Sequence, residues 1–113
     1  MVCALNGIRY ALQSERNIRI HLVIFFLAIL AAWLLQISKI EFLLILGISA
    51  VTFSLEMVNT AVERLADRVT PEYDKQIGLV KDVMAGAVMV SSLFAIVIGV
   101  VVFSEPLMQR LAY

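Results

Sequence analysis

Glu56, Asn59, Thr60, Glu63 and Asp67 recur with the spacing of one helix face. At about 100° per residue they fall within about 60° either side of one direction and run roughly 16 Å along the axis. The stretch around them is apolar enough to lie in a membrane, where even a lenient insertion scale sets the cost of a central charge at about 2.5–3.5 kcal/mol. A stripe of three acids and an amide must therefore face other protein, water or a cation. A structural polar seam, with Glu56 and Asn59 simply bonding between helices, explains one such residue better than it explains the whole stripe.

Further charges collect at the same depth. Glu15 precedes the first apolar run, Glu72 and Asp74 lie between the second and third, and Lys81-Asp82 stands where the third is expected to open. Carboxylates that converge repel one another unless something positive lies between them. Hard oxygen ligands with open positions suit Mg²⁺, which takes one or two carboxylates and completes its shell with phosphate and water. Lys81 adds a point charge for a phosphate. These parts suffice for phosphoryl transfer, which is mostly positioning and charge neutralisation. No Gly-x-x-x-x-Gly-Lys-Ser/Thr loop and no Gly-rich kinase loop occurs, so a nucleotide site here is of neither common soluble type.

The elements that must position these residues are legible from composition. The 113 residues are 62% hydrophobic and 16% charged, and the mean hydropathy is +0.96. A soluble fold this short cannot bury so much apolar side chain. Three apolar segments, about residues 18–37, 42–67 and 82–104, are long enough to cross a bilayer as helices, and too long and too little alternating for barrel strands. Residues 4–17 mix apolar and basic side chains, which suits a short helix lying on the membrane surface. Ser38 and Thr70-Pro71 punctuate the turns. Ala85, Gly86, Ala87, Ser91, Ser92 and Gly99 are read as packing residues that allow close helix approach. The expected fold is an all-α membrane protein, a single domain of three transmembrane helices plus the interfacial helix, assembling into an oligomer because three helices enclose little volume.

Charge placement gives an orientation. Arg9, Arg16, Arg19, Arg64, Arg68, Lys75 and Lys81 lie on one side, against Lys39 and Arg110 on the other. That bias puts the N-terminus and second loop in the cytoplasm and the C-terminus outside, with Trp33 near the outer interface and Tyr10 and Tyr73 near the inner one. No apolar stretch with a small-residue cleavage site precedes Arg19, so insertion is expected to rely on the mature helices. A formal net charge of zero gives no case for nucleic-acid binding. The single cysteine, Cys3, excludes an internal disulfide or a cysteine metal cluster and reads as a small apolar filler.

The run Glu56-Met57-Val58-Asn59-Thr60-Ala61-Val62-Glu63-Arg64-Leu65-Ala66-Asp67, then Glu72-Tyr73, then Lys81-Asp82-Val83-Met84-Ala85-Gly86-Ala87-Val88, resembles the prokaryotic diacylglycerol kinase family, which includes the undecaprenol kinases. The pattern Glu-x-x-Asn-[Ser/Thr]-Ala-x-Glu-x-x-x-Asp with a downstream Lys-Asp is highly specific, and the match runs over about residues 7–103. The resemblance implies a homotrimer with active sites shared between neighbours in a bacterial cytoplasmic membrane, MgATP as donor and a membrane lipid alcohol as acceptor. It implies Glu56 as the general base, and Glu15 and Glu63 on Mg²⁺. Glu15, Glu63, Glu72, Asp74, Lys81 and Asp82 would lie toward the nucleotide, and Arg9, Asn17, Arg19, His21, Asn59 and Asp67 would support the site or the substrate.

Glu15-Arg16-Asn17-Ile18-Arg19-Ile20-His21 looks like the undecaprenol-kinase branch of Gram-positive bacteria, which makes undecaprenol the expected acceptor and diacylglycerol the alternative. His21 is expected as an interfacial histidine bonded to a neighbour, with the lipid headgroup as its other option. Members of the family carry a longer segment ahead of the position of Gly7, whereas six residues precede it here, so the lipid and adenine contacts of that segment stay unassigned. A small proton-coupled multidrug transporter is the rival from another class. It would use one mid-depth carboxylate reachable from both sides and would have no use for Lys81-Asp82 or the loop acids. A purely structural membrane subunit leaves the clustered acids unexplained.

Overall fold

The computed structural model describes residues 2–70, 72 and 74–111. Tyr73, expected at the inner interface, and Pro71, expected as punctuation, lie outside the described residues. Among the described residues four helices follow one another: α1 (Val2–Ser14), α2 (Arg16–Leu35), α3 (Lys39–Val69) and α4 (Lys75–Leu111). The last three are long and apolar enough to cross a membrane.

Each boundary has a local cause. Glu15 adopts an extended conformation between α1 and α2. The Arg19 guanidinium folds back on the end of α1, donating to the carbonyls of Leu12 (2.8 Å) and Gln13 (3.0 Å), which have no partner within the helix. α2 ends at Gln36, in the left-handed region at φ 52°. There the Gln36 and Ile37 N–H groups donate to the carbonyls of Trp33 and Ala32, each at 3.3 Å. Ser38 then starts α3 with a capping box. Its hydroxyl accepts from the Glu41 N–H, and its own N–H donates to the Glu41 carboxylate, both at 3.1 Å. α4 is capped by Asp74, whose carboxylate accepts from the N–H groups of Gln76 (2.9 Å) and Ile77 (3.2 Å).

α4 differs from the sequence expectation in length. Capped by Asp74, it begins at Lys75, seven residues ahead of the expected start at 82, so Lys81-Asp82 lies about two turns inside the helix instead of opening it. Pro106 sits inside its last turns without ending it. α3 also extends at both ends beyond the expected 42–67.

α3 packs most extensively on α4 and next on α2. The buried apolar side chains are few: Ala11, Ile18, Ala32, Ile45, Ala66 and Val102. A hydroxyl pair, Thr52 and Ser91, hydrogen-bonds across the buried α3–α4 seam. Most large apolar side chains point outward, as Val23, Phe26 and Leu30 of α2 and Val97 and Val101 of α4 do. Such a surface is stable in hydrocarbon and not in water. A Cβ at Gly86 or Gly99 would meet nothing within 4 Å, so within one chain neither marks a close approach of helices.

Candidate active site

Because α2, α3 and α4 run alternately up and down, the start of α2, the end of α3 and the start of α4 meet at one end of the bundle. Every charged residue of the expected site belongs to that end. Along the α3 face the exposure is graded. Glu56 (6% exposed) and Thr60 (4%) are buried, Asn59 and Glu63 are half-buried, and Asp67 is exposed. The polar face reaches one turn further than the motif, to the buried Thr52.

Glu56 lies deepest. His21 of α2 places its Nδ1 3.3 Å from Glu56 Oε1, and it is the one side chain among the described residues within ion-pair reach of that carboxylate. Glu15 and Glu63 are the other charged groups near enough to act on it. Thr60 donates its hydroxyl proton to the Glu56 carbonyl at 3.1 Å, which ties the hydroxyl to the helix. Asn59 Oδ1 is buried and has no hydrogen-bond partner among the described residues. A buried amide oxygen without a donor is costly, and here it lies one turn from the deepest carboxylate.

Nearer the open end, Lys81 Nζ bonds Asp67 Oδ1 at 2.6 Å, which fixes the ammonium beside the end of α3. Arg64 Nη2 stands 3.4 Å from Glu15 Oε1, and its guanidinium lies over the Tyr10 ring, 6.0 Å from the centroid. Arg64 thus joins α1, the α1–α2 elbow and α3. The sequence reading missed it. At about 80° from the Glu56 direction, Arg64 falls just outside the sector drawn around the acidic stripe. A wider sector would have found it.

Among the described residues, the other expected side chains make no hydrogen bond or ion pair to this cluster. Arg9, Asn17 and Asp82 are exposed. Arg19 is spent on the end of α1. Glu72 accepts the Thr70 hydroxyl on its carbonyl at 3.2 Å, and Asp74 caps α4.

Among the described residues no group of three or more acidic, imidazole or thiol side chains forms a ready metal cage. Mg²⁺ asks for less, since one or two carboxylates with phosphate and water satisfy it. Glu15 and Glu63 fit that smaller demand. Both are half-buried, and Glu63 has no ion-pair partner among the described residues.

Beside the acidic cluster, an apolar groove of about 530 Å³ runs between α2, α3 and α4. His21 stands at one end of its wall, with Phe25, Ile45, Phe53, Ile96 and Phe103 among the rest. The imidazole therefore borders the groove on one side and Glu56 on the other.

A model of the family described as prokaryotic diacylglycerol kinase matches residues 2–103. The chain is 32% identical over 98 residues to an undecaprenol kinase of Bacillus subtilis (strain 168), spanning 87% of this chain and 80% of that one. It is 33% identical over 104 residues to a diacylglycerol kinase of a Synechocystis strain, spanning 91% of this chain and 59% of that longer protein. A diacylglycerol kinase of Escherichia coli (strain K12) is 29% identical over 92 residues, spanning 81% and 75%.

Proposed function

This chain belongs to the prokaryotic diacylglycerol kinase family and is a lipid kinase, and we propose that its acceptor is undecaprenol, phosphorylated to undecaprenyl phosphate. As a kinase of this family it uses ATP as phosphate donor. The transporter alternative falls with that assignment. What remains of the choice is the lipid, and diacylglycerol is the second reading because relatives of both names are similar to this chain. The Glu15-to-His21 segment supports undecaprenol, while the apolar groove suits the hydrocarbon of either lipid.

The observation that carries the chemistry is a buried carboxylate, Glu56, at the deep end of a polar face that opens toward Lys81. In this reading the lipid hydroxyl comes to Glu56, which takes its proton as the oxygen attacks the γ-phosphorus of ATP and ADP leaves. Glu15 and Glu63 hold Mg²⁺, which when bound neutralises charge on the phosphates. Lys81, held by Asp67, offers its remaining N–H donors to a phosphate oxygen. Glu72, Asp74 and Asp82 lie toward the nucleotide, and Arg9, Asn17, Arg19, His21 and Asn59 frame the site. The N-terminus and the α3–α4 link face the cytoplasm, where ATP is, and the C-terminus faces outward. Three chains form a trimer whose sites are shared between neighbours, in keeping with how little apolar surface one chain buries by itself.

The test is phosphate transfer from labelled ATP to undecaprenol and diacylglycerol offered in equal amounts, with the lipid products resolved. Labelled undecaprenyl phosphate in excess is the expected result. Labelled phosphatidic acid in excess would replace the acceptor and leave the rest of the reading standing.

A further inference from the structure

We propose that His21 is a positioning residue, whose imidazole holds the Glu56 carboxylate in the orientation from which it takes the lipid proton. The proposal rests on Glu56 acting as the base. A carboxyl group turns about a broad, roughly two-fold terminal torsion, so burial alone does not aim it. A donor does. His21 Nδ1, 3.3 Å from Oε1, is the donor the fold supplies.

The other charged groups around Glu56 cannot take that part. Glu15 and Glu63 are carboxylates of the same charge, which accept and do not donate. Arg64 is engaged by Glu15 and Tyr10, and Lys81 by Asp67. His21 is also held in place more firmly than an interfacial histidine needs to be. Three residues earlier, on the same helix face, Ile18 is fully buried. Two residues earlier, Arg19 fastens α2 to the end of α1. These two anchors set both the rotation and the height of the imidazole. Its Nδ1 is buried and, at this angle, makes no hydrogen bond. The pair is within reach but not yet aligned, and a small rotation of either side chain on arrival of the hydroxyl completes the bond. Because the imidazole also borders the apolar groove, a lipid lying there delivers its hydroxyl past His21 to Glu56.

The experiment compares His21→Ala, His21→Gln, Glu56→Gln and the double variant His21→Ala/Glu56→Gln as full chains in mixed micelles. Steady-state kinetics are measured against both lipid and ATP. A misaimed base costs rate rather than binding, so His21→Ala is expected to lower kcat by about 10- to 100-fold with both KM values within about twofold. His21→Gln, which keeps a donor and most of the volume, is expected to recover much of that loss. The double variant is expected to be no worse than Glu56→Gln alone, because an aimed carboxylate is no longer present to misplace. If His21→Ala misfolds, judged by its elution in detergent, the glutamine variant and a His21→Leu variant of similar size carry the same comparison. Wild-type kcat in the His21 variants beside a dead Glu56→Gln would overturn the positioning role alone. A raised lipid KM with unchanged kcat would overturn it in favour of headgroup binding. A near-normal Glu56→Gln would remove the base and this proposal together.

Discussion

Glu56, Glu63 and Lys81 lie at three depths of one polar face, and each depth asks for a different measurement. Glu56→Gln keeps the shape and removes the proton acceptor, so turnover is expected to fall by about 100-fold or more while nucleotide binding stays near normal. Initial rates and a binding titration on the same preparation separate the two. Glu63→Gln halves the carboxylate set read here as the Mg²⁺ site, so the metal concentration giving half-maximal rate is expected to rise. An unchanged metal titration would take Glu63 out of that site. Lys81→Met removes a charge that the structure fixes against Asp67. A charge-assisted hydrogen bond contributes about 1.5–3 kcal/mol, so the KM for ATP is expected to rise by about tenfold or more. Asp67→Asn, which loosens the ammonium without removing it, is expected to have a smaller effect of the same kind.

At the scale of the helices, Ser38 offers a test of what starts α3. Its reciprocal bonds with Glu41 satisfy groups that the helix cannot satisfy itself. Ser38→Ala is expected to cost about 1 kcal/mol in a denaturant titration in micelles, with little change in specific activity, because the site is at the other end of the bundle. The elements were largely legible before the structure: the three apolar runs and the polar face of α3 follow from charge spacing and length. What was not legible has two physical causes. Helix ends depend on single side chains that reach back to the backbone, and nothing in hydropathy marks Asp74 as the cap that lengthens α4. Partners across helices depend on rotation about each axis. Periodicity gives a face to α2 and a face to α3, but not that His21 and Glu56, 35 positions apart, come within 3.3 Å. For the same reason Arg64 passed as an ordinary cytoplasmic cation, when its position bridges α1 and α3.

At the scale of the whole molecule, six apolar side chains are buried among the described residues, and both Gly86 and Gly99 lack a neighbour for an added Cβ. If those bare stretches of α4 meet another subunit, Gly86→Leu is expected to leave the single chain folded and to weaken the assembly. Light scattering in detergent checks this against the wild-type mass, which the proposed trimer sets at three chains of 12.6 kDa each; an undiminished mass would move the subunit contact elsewhere. The far end of the bundle has a different significance. There α2 passes into α3 through Gln36, Ile37 and Ser38 alone, and Arg110 of α4 leans back to donate to the Leu34 carbonyl at 3.1 Å. Among the described residues that end of the bundle consists of a closed turn and the last turns of α4, and an antibody or protease approaching it would meet no long loop there. A ligand aimed at the described residues would find its polar contacts at the opposite end, beside Glu56, Glu63 and Lys81.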